Sequence, residues 1–109
     1  MTAVKERAAT KYLLVTCTYQ PEGKWITARC QELGTSTFGK TLDEAEDRLR
    51  EAILLHLDTL EEVGERARFF KEHGIRLHAT YPKEVRPTVP PDVLSKTQVV
   101  VVDAGFAFA

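Results

Sequence analysis

The side chains best suited to chemistry in this 109-residue chain are few: two cysteines, three histidines and a set of carboxylates. Cys17 and Cys30 stand too far apart for a C-x-x-C motif, and two cysteines are too few for a disulfide-stapled secreted scaffold. They read as small buried thiols, the usual state of a free cysteine. His56, His73 and His78 have no second ligand at metal spacing. His56 falls on an apolar helical stripe and reads as a half-buried core histidine. His73 reads as a helix C-terminal residue favoured by the dipole. Gly34 and Gly39 punctuate turns, and no glycine-rich loop is built to cradle a phosphate. The expectation is therefore a chain with no catalytic residues, no metal and no cofactor: not an enzyme, but a protein that grips a partner.

Three features point to where a partner is held. Residues 41–62 carry Asp43, Glu44, Glu46, Asp47, Glu51, Asp58, Glu61 and Glu62 against only Arg48 and Arg50. Such a face steers a basic partner and speeds encounter, and Asp43, Glu46 and Asp47 are its candidate contacts. The competing reading is an ordinary solvated helix surface. Next, Tyr12, Leu14 and Trp25 are large apolar residues on the strand face opposite the core, and aromatic anchors of this kind dominate interface energetics. The competing reading is a second packing layer supplied by the C-terminal segment. Finally, Val99, Val100, Val101 and Val102 form a β-prone apolar run that is an aggregation hazard if left free. The expected use is strand addition between chains, giving a homo-oligomer.

Local patterns predict the elements that position these residues. Residues 11–19 (KYLLVTCTY) and 25–30 (WITARC) are rich in β-branched and aromatic types, with the turn sequence Gln20-Pro-Glu-Gly-Lys24 between them. This is an antiparallel hairpin. Pairing Gln20 with Trp25 puts Cys17 opposite Ala28 and Val15 opposite Cys30. Leu13, Val15, Cys17, Ile26, Ala28 and Cys30 then share one apolar face, because side chains alternate along a strand. Residues 36–39 (STFG) make a short third strand. Thr41-Leu-Asp-Glu44 fits a capping box, which opens a helix. Leu42, Ala45, Leu49, Ala52, Ile53, His56, Leu57 and Leu60 follow at helical spacing. Glu44 with Arg48 and Glu46 with Arg50 are expected i,i+4 pairs. Gly64 marks a break. A second helix carries Val63, Ala67 and Phe70 and stops at Gly74. Residues 75–81 form a fourth strand or extended segment.

The chain has the size of one domain and a net charge of −1, which does not suit a general nucleic-acid binder. Lys5, Glu6, Arg7 and Lys11 near the start leave no apolar core for a secretory signal, and no stretch approaches the length of a membrane span. The expectation is a cytoplasmic protein with no membrane association. Residues 1–81 read as an α+β domain. Residues 82–109 read as a Pro-rich linker, with Pro82, Pro87, Pro90 and Pro91, then an apolar strand packed on the domain or on a neighbouring protomer.

Over about residues 11–74 the order of motifs resembles the HicB family of antitoxins. The similarity rests on Tyr12-Leu-Leu-Val15, Gly23-Lys-Trp-Ile-Thr-Ala28, Gln31-Glu-Leu-Gly34, and Phe38-Gly-Lys-Thr-Leu-Asp-Glu-Ala45 running into Leu49 to Leu57. It implies an antiparallel sheet of three to four strands packed by one long helix and a second shorter one (β-β-β-α-α-β), of partial ribonuclease-H-like type. It also implies a partner, a small basic toxin ribonuclease of HicA type whose catalytic face is occluded. Ribonucleases of that fold gather carboxylates from adjacent strands around divalent metals, yet residues 11–19 and 25–30 contain no Asp or Glu. Residues 75–109 show no periodicity for a ribbon-helix-helix or helix-turn-helix, and Gln31 stands where the family often has proline, so operator DNA binding is not expected. The alternative is an orphan oligomeric module of the same fold with no toxin, structural or ligand-binding.

Overall fold

The computed structural model describes residues 10–82, 93–103 and 105–109. The first hairpin consists of β1 (Lys11–Glu22) and β2 (Trp25–Cys30). They are joined by Gly23 and Lys24 alone, because Glu22 pairs with Trp25. Gly23 has a φ of 61° and Lys24 has no positive φ, the pattern of a type II′ turn. The register differs from the sequence expectation by two residues, with Cys17 opposite Cys30 rather than Ala28. Pro21 explains the difference. It continues the strand at a position where its missing N–H faces away from β2, beyond the end of the neighbouring strand, so no ladder bond is lost. An even shift keeps every side chain on its predicted face.

β3 (Ser36–Gly39), β4 (Leu77–His78), β5 (Leu94–Val102) and β6 (Phe106–Phe108) complete a six-stranded sheet. Its order is β3-β2-β1-β5-β6, with β4 on the β2 side of β1, and every pairing is antiparallel. The fold is α+β, as expected, but with more strands than the three to four anticipated. β1 is long enough to serve two neighbours along one edge: β2 on residues 17–22 and β4 on residues 12–13.

The stretch of edge between them is closed by a side chain. Glu32 accepts the Thr16 amide at 2.6 Å and the Thr16 hydroxyl at 2.9 Å, while the Gln31 amide donates to Thr16 O at 2.9 Å. Thr16 is buried, so without Glu32 its N–H has no acceptor. Glu32→Ala is expected to cost ~1–3 kcal/mol, the usual penalty for orphaning a buried donor, and Glu32→Gln less, because an amide oxygen still accepts. Urea unfolding of both variants measures this; equal stability of wild type and Glu32→Ala would show that water satisfies Thr16 instead.

Two helices cover one face of the sheet. α1 (Leu42–Glu62) starts at Thr41, whose hydroxyl accepts the Glu44 amide at 3.1 Å. The return half of the capping box is absent: Glu44 instead binds Arg48 at 2.9 Å, the expected i,i+4 pair. Glu46 and Arg50 do not pair with each other. Glu46 binds Lys96, while Arg50 donates to Gln98 Oε1 at 3.1 Å and lies over the Phe108 ring. α1 ends in a Schellman motif at Gly64 (φ 72°), with Glu65 N–H bonded to Leu60 O and Gly64 N–H to Glu61 O. α2 (Arg66–Glu72) follows and closes the same way at Gly74.

Ala45, Leu49, Ile53 and Leu57 of α1 and Phe70 of α2 pack on Leu13, Val15, Cys17, Tyr19, Ala28, Cys30, Val100 and Val102. This is one helix layer on one sheet, with the core between them. Val99–Val102 lie inside β5, held by β1 on one side and β6 on the other. Both edges of the run are taken within its own chain, so the expected donation of this strand to another protomer is not how it is used. Pro82 is described; Pro87, Pro90 and Pro91 of the expected linker, like Lys5, Glu6 and Arg7, lie outside the described residues.

Candidate partner-binding face

A two-layer fold leaves one sheet face without helices. Strand alternation and the observed pairs place Tyr12, Leu14, Thr16 and Thr18 of β1 on it, beside Val101, Val99, Thr97 and Ser95 of β5. Trp25, Thr27 and Arg29 of β2 and Ser36 and Phe38 of β3 continue the same face. It has two apolar poles. At one, Tyr12 packs edge-on to Tyr81 at 5.5 Å between ring centres, with Leu14, Val99 and Val101 beside them. At the other, Trp25 and Phe38 meet edge-on at 5.1 Å. A threonine band, Thr16, Thr18, Thr27 and Thr97, separates the poles.

Trp25 is 41% and Phe38 51% exposed, large values for aromatic rings on a sheet. With Glu22, Thr27, Ser36 and Thr37 they line a hollow of about 570 Å³. Phe38 is an exposed aromatic of this face that the sequence did not point to. The signal was present in the four-residue period-2 strand STFG, but the strand was too short to show which face Phe38 takes.

The predicted contact residues divide between layers. Tyr12, Leu14 and Trp25 share the open sheet face, though Tyr12 and Leu14 sit at one pole and Trp25 at the other. Asp43, Glu46 and Asp47 belong to α1, on the opposite side of the sheet. The structure therefore does not join the six into one site. Glu46 is half-buried and engaged by Lys96, whereas Asp43 and Asp47 are exposed.

The nucleophilic groups lie in the core rather than on this face. Cys17 and Cys30 are free, buried and directly opposite each other. The Cys30 amide donates to Thr35 O, away from β1, so the two form a non-hydrogen-bonded pair, the closer of the two kinds of cross-strand pair. Burial pushes the Cys17 thiol up to about 11, helped by the Glu32 charge, and the Cys30 thiol up to about 12. Both are held as inert thiols at neutral pH. Tyr19 is also buried and its hydroxyl shifted upward by burial; it lies near the Cys17 thiol but makes no hydrogen bond of acceptable geometry.

His56 is half-buried, 3.0 Å from Thr35 Oγ1 through Nδ1 and edge-on to Phe69. His73 stacks on Phe69, its Nδ1 2.9 Å from Phe69 O at the end of α2. Among the described residues no three of His, Cys, Asp and Glu are grouped to hold a metal ion. Among the described residues no helix is long and apolar enough to cross a membrane.

These features define an α+β chain with a helix-backed sheet and an open aromatic face. Compared with protein-family models, with curated proteins and with solved structures, the chain matches none.

Proposed function

We propose that this protein is an antitoxin-like binder that lays its open sheet face over a small, basic toxin ribonuclease of HicA type and occludes it. The observation that carries the reading is the exposure of Trp25 and Phe38 on the open sheet face, beside a threonine band and the second apolar pole of Tyr12, Leu14, Val99 and Val101. Rings held on a rigid sheet present large apolar area with little conformational entropy to lose on binding. The motifs of residues 11–45 that resemble the HicB family support the same partner. The exposed carboxylates Asp43 and Asp47 stand on the helix layer, so their contribution is long-range steering of a basic partner rather than contact.

Co-expression with a small basic ribonuclease of HicA type tests the proposal. The complex is expected to co-purify and to block RNA cleavage. Trp25→Ala is expected to weaken it by ~2 kcal/mol or more, as at an interface hot spot, while changing the stability of the free chain by less than about 1 kcal/mol. Added salt is expected to slow association. Undiminished affinity in Trp25→Ala, or destabilisation of the free chain larger than the loss of binding, would remove Trp25 from the interface.

A further inference from the structure

We propose that β3 is a dimerisation edge: two copies of this chain join antiparallel about a two-fold axis through Thr37, continuing the sheet from one protomer into the next.

β3 has β2 on one side and, among the described residues, no strand on the other. A bare edge is a template for pairing, and folded proteins usually guard it with lysine, proline or a bulge. Ser-Thr-Phe-Gly has none of these. The direction of its free groups follows from the ladder. The Cys30 amide donates to Thr35 O at 2.8 Å, and Ala28 pairs with Thr37. Alternation then turns the backbone of Thr35, Thr37 and Gly39 toward β2 and that of Ser36 and Phe38 outward. An independent contact agrees: Phe38 O is reached by Arg48 Nη1 at 3.1 Å from the helix side, not by β2.

Two outward residues flanking one inward residue make a self-matching edge. With Thr37 facing Thr37 across the axis, Ser36 of each copy lies opposite Phe38 of the other. Each such pair exchanges both N–H···O bonds. Phe38 O has a second lone pair, so it accepts from the second copy without releasing Arg48.

The flanks choose the occupant. Thr37 lines a hollow on each side of β3. The outer one holds Trp25 and Phe38. The helix-side one, about 600 Å³, holds Arg48, Glu51, Ala52 and Leu55. Leu55 is 68% exposed, an unusual place for leucine on a helix that otherwise buries its apolar stripe. Arg48 and Glu51 are of opposite sign and nearly one turn apart. A partner strand of uniform charge suits only one of them. A second copy, turned by the two-fold, runs its α1 antiparallel and carries Glu51 toward Arg48 and Arg48 toward Glu51, with each Leu55 beyond that exchange at an outer end of the seam.

The test uses the full chain alone, so its result is independent of any toxin. Sedimentation equilibrium is expected to give twice the 12.3 kDa chain mass, with amide exchange at Ser36 and Phe38 slowing as concentration rises. Ser36→Pro removes an outward donor and no bond to β2; Glu51→Lys turns an exposed carboxylate into a cation facing Arg48 of the second copy. Each is expected to raise the dimer dissociation constant about tenfold or more, a change of ~1.4 kcal/mol, with unaltered circular dichroism. A monomeric wild-type chain, or a dimer indifferent to Glu51→Lys and showing no concentration-dependent protection at Ser36 and Phe38, would overturn the proposal.

Discussion

Replacing Gly39 by alanine is expected to destabilise the protein by ~3 kcal/mol, the upper part of the range for forcing atoms into a closed site. A methyl group there would lie 2.6 Å from Ala45 N and 3.0 Å from both Ala45 Cα and Glu44 C. All three are backbone atoms of the first turn of α1, so no side chain can swing aside. The helix start must lift off β3, and α1 carries Ala45, Leu49, Ile53 and Leu57, which fill the core from above. The cause is close approach and not backbone freedom, because Gly39 has no positive φ. Gly23→Ala supplies the contrast. Its φ is 61° but its surroundings are open, so the cost is the ~1 kcal/mol of a strained hairpin turn. Urea unfolding curves of both variants measure the difference. If Gly39→Ala cost no more than Gly23→Ala, the strand–helix contact would be looser than the backbone distances state.

That contact also shows what Gly39, Thr41 and Ala45 do together in this chain. The glycine lets the strand pass under the helix, Thr41 caps it, and Ala45 is the small residue at the crossing. Signals confined to neighbouring residues were readable in this way: the capped helix, the stop at Gly64, the second helix and the apolar face of the hairpin. The hairpin register was misread because Pro21 looked like the end of a strand, and only the position of β5 reveals that its missing N–H falls on an unpaired edge. β5 was longer than its apolar run for a related reason. Lys96 and Gln98 occupy the helix-facing side of the sheet, where polar residues argue against a strand, yet Glu46 and Arg50 receive them. Glu32 was hidden for the same reason. Its acceptor role depends on Thr16, and nothing local to Gln31-Glu-Leu-Gly34 announces a gap between β2 and β4. The candidate face followed this division: alternation put Tyr12, Leu14 and Trp25 together, while the placement of Asp43 and Asp47 on the far layer needed the packing of α1.

The buried thiols set a steep alkaline limit on the fold. Below about pH 9, the ordinary value for a thiol, Cys17 and Cys30 are protonated whether the chain is folded or not, and they contribute no pH dependence. Above it the unfolded chain releases their protons, while the folded chain holds them until about 11 for Cys17 and about 12 for Cys30. The unfolded state then binds fewer protons than the native state, so stability falls as pH rises, by ~1.4 kcal/mol per pH unit for each thiol in that window. Between pH 9 and 11 the two together withdraw on the order of 5 kcal/mol, comparable with the whole stability of a small domain. Tyr19, raised by the same burial, steepens the loss at the upper end. Chemical unfolding across this range is therefore expected to show a sharp decline in the wild type. Cys17→Ala with Cys30→Ala should begin less stable, because two cavities open in the core, but should lose stability far more gradually over the same interval. The slope, not the starting value, carries the result, since lysine and arginine titration is common to both chains. Parallel slopes would mean that water reaches the thiols in the folded state and that the seam between α1 and the hairpin is not closed.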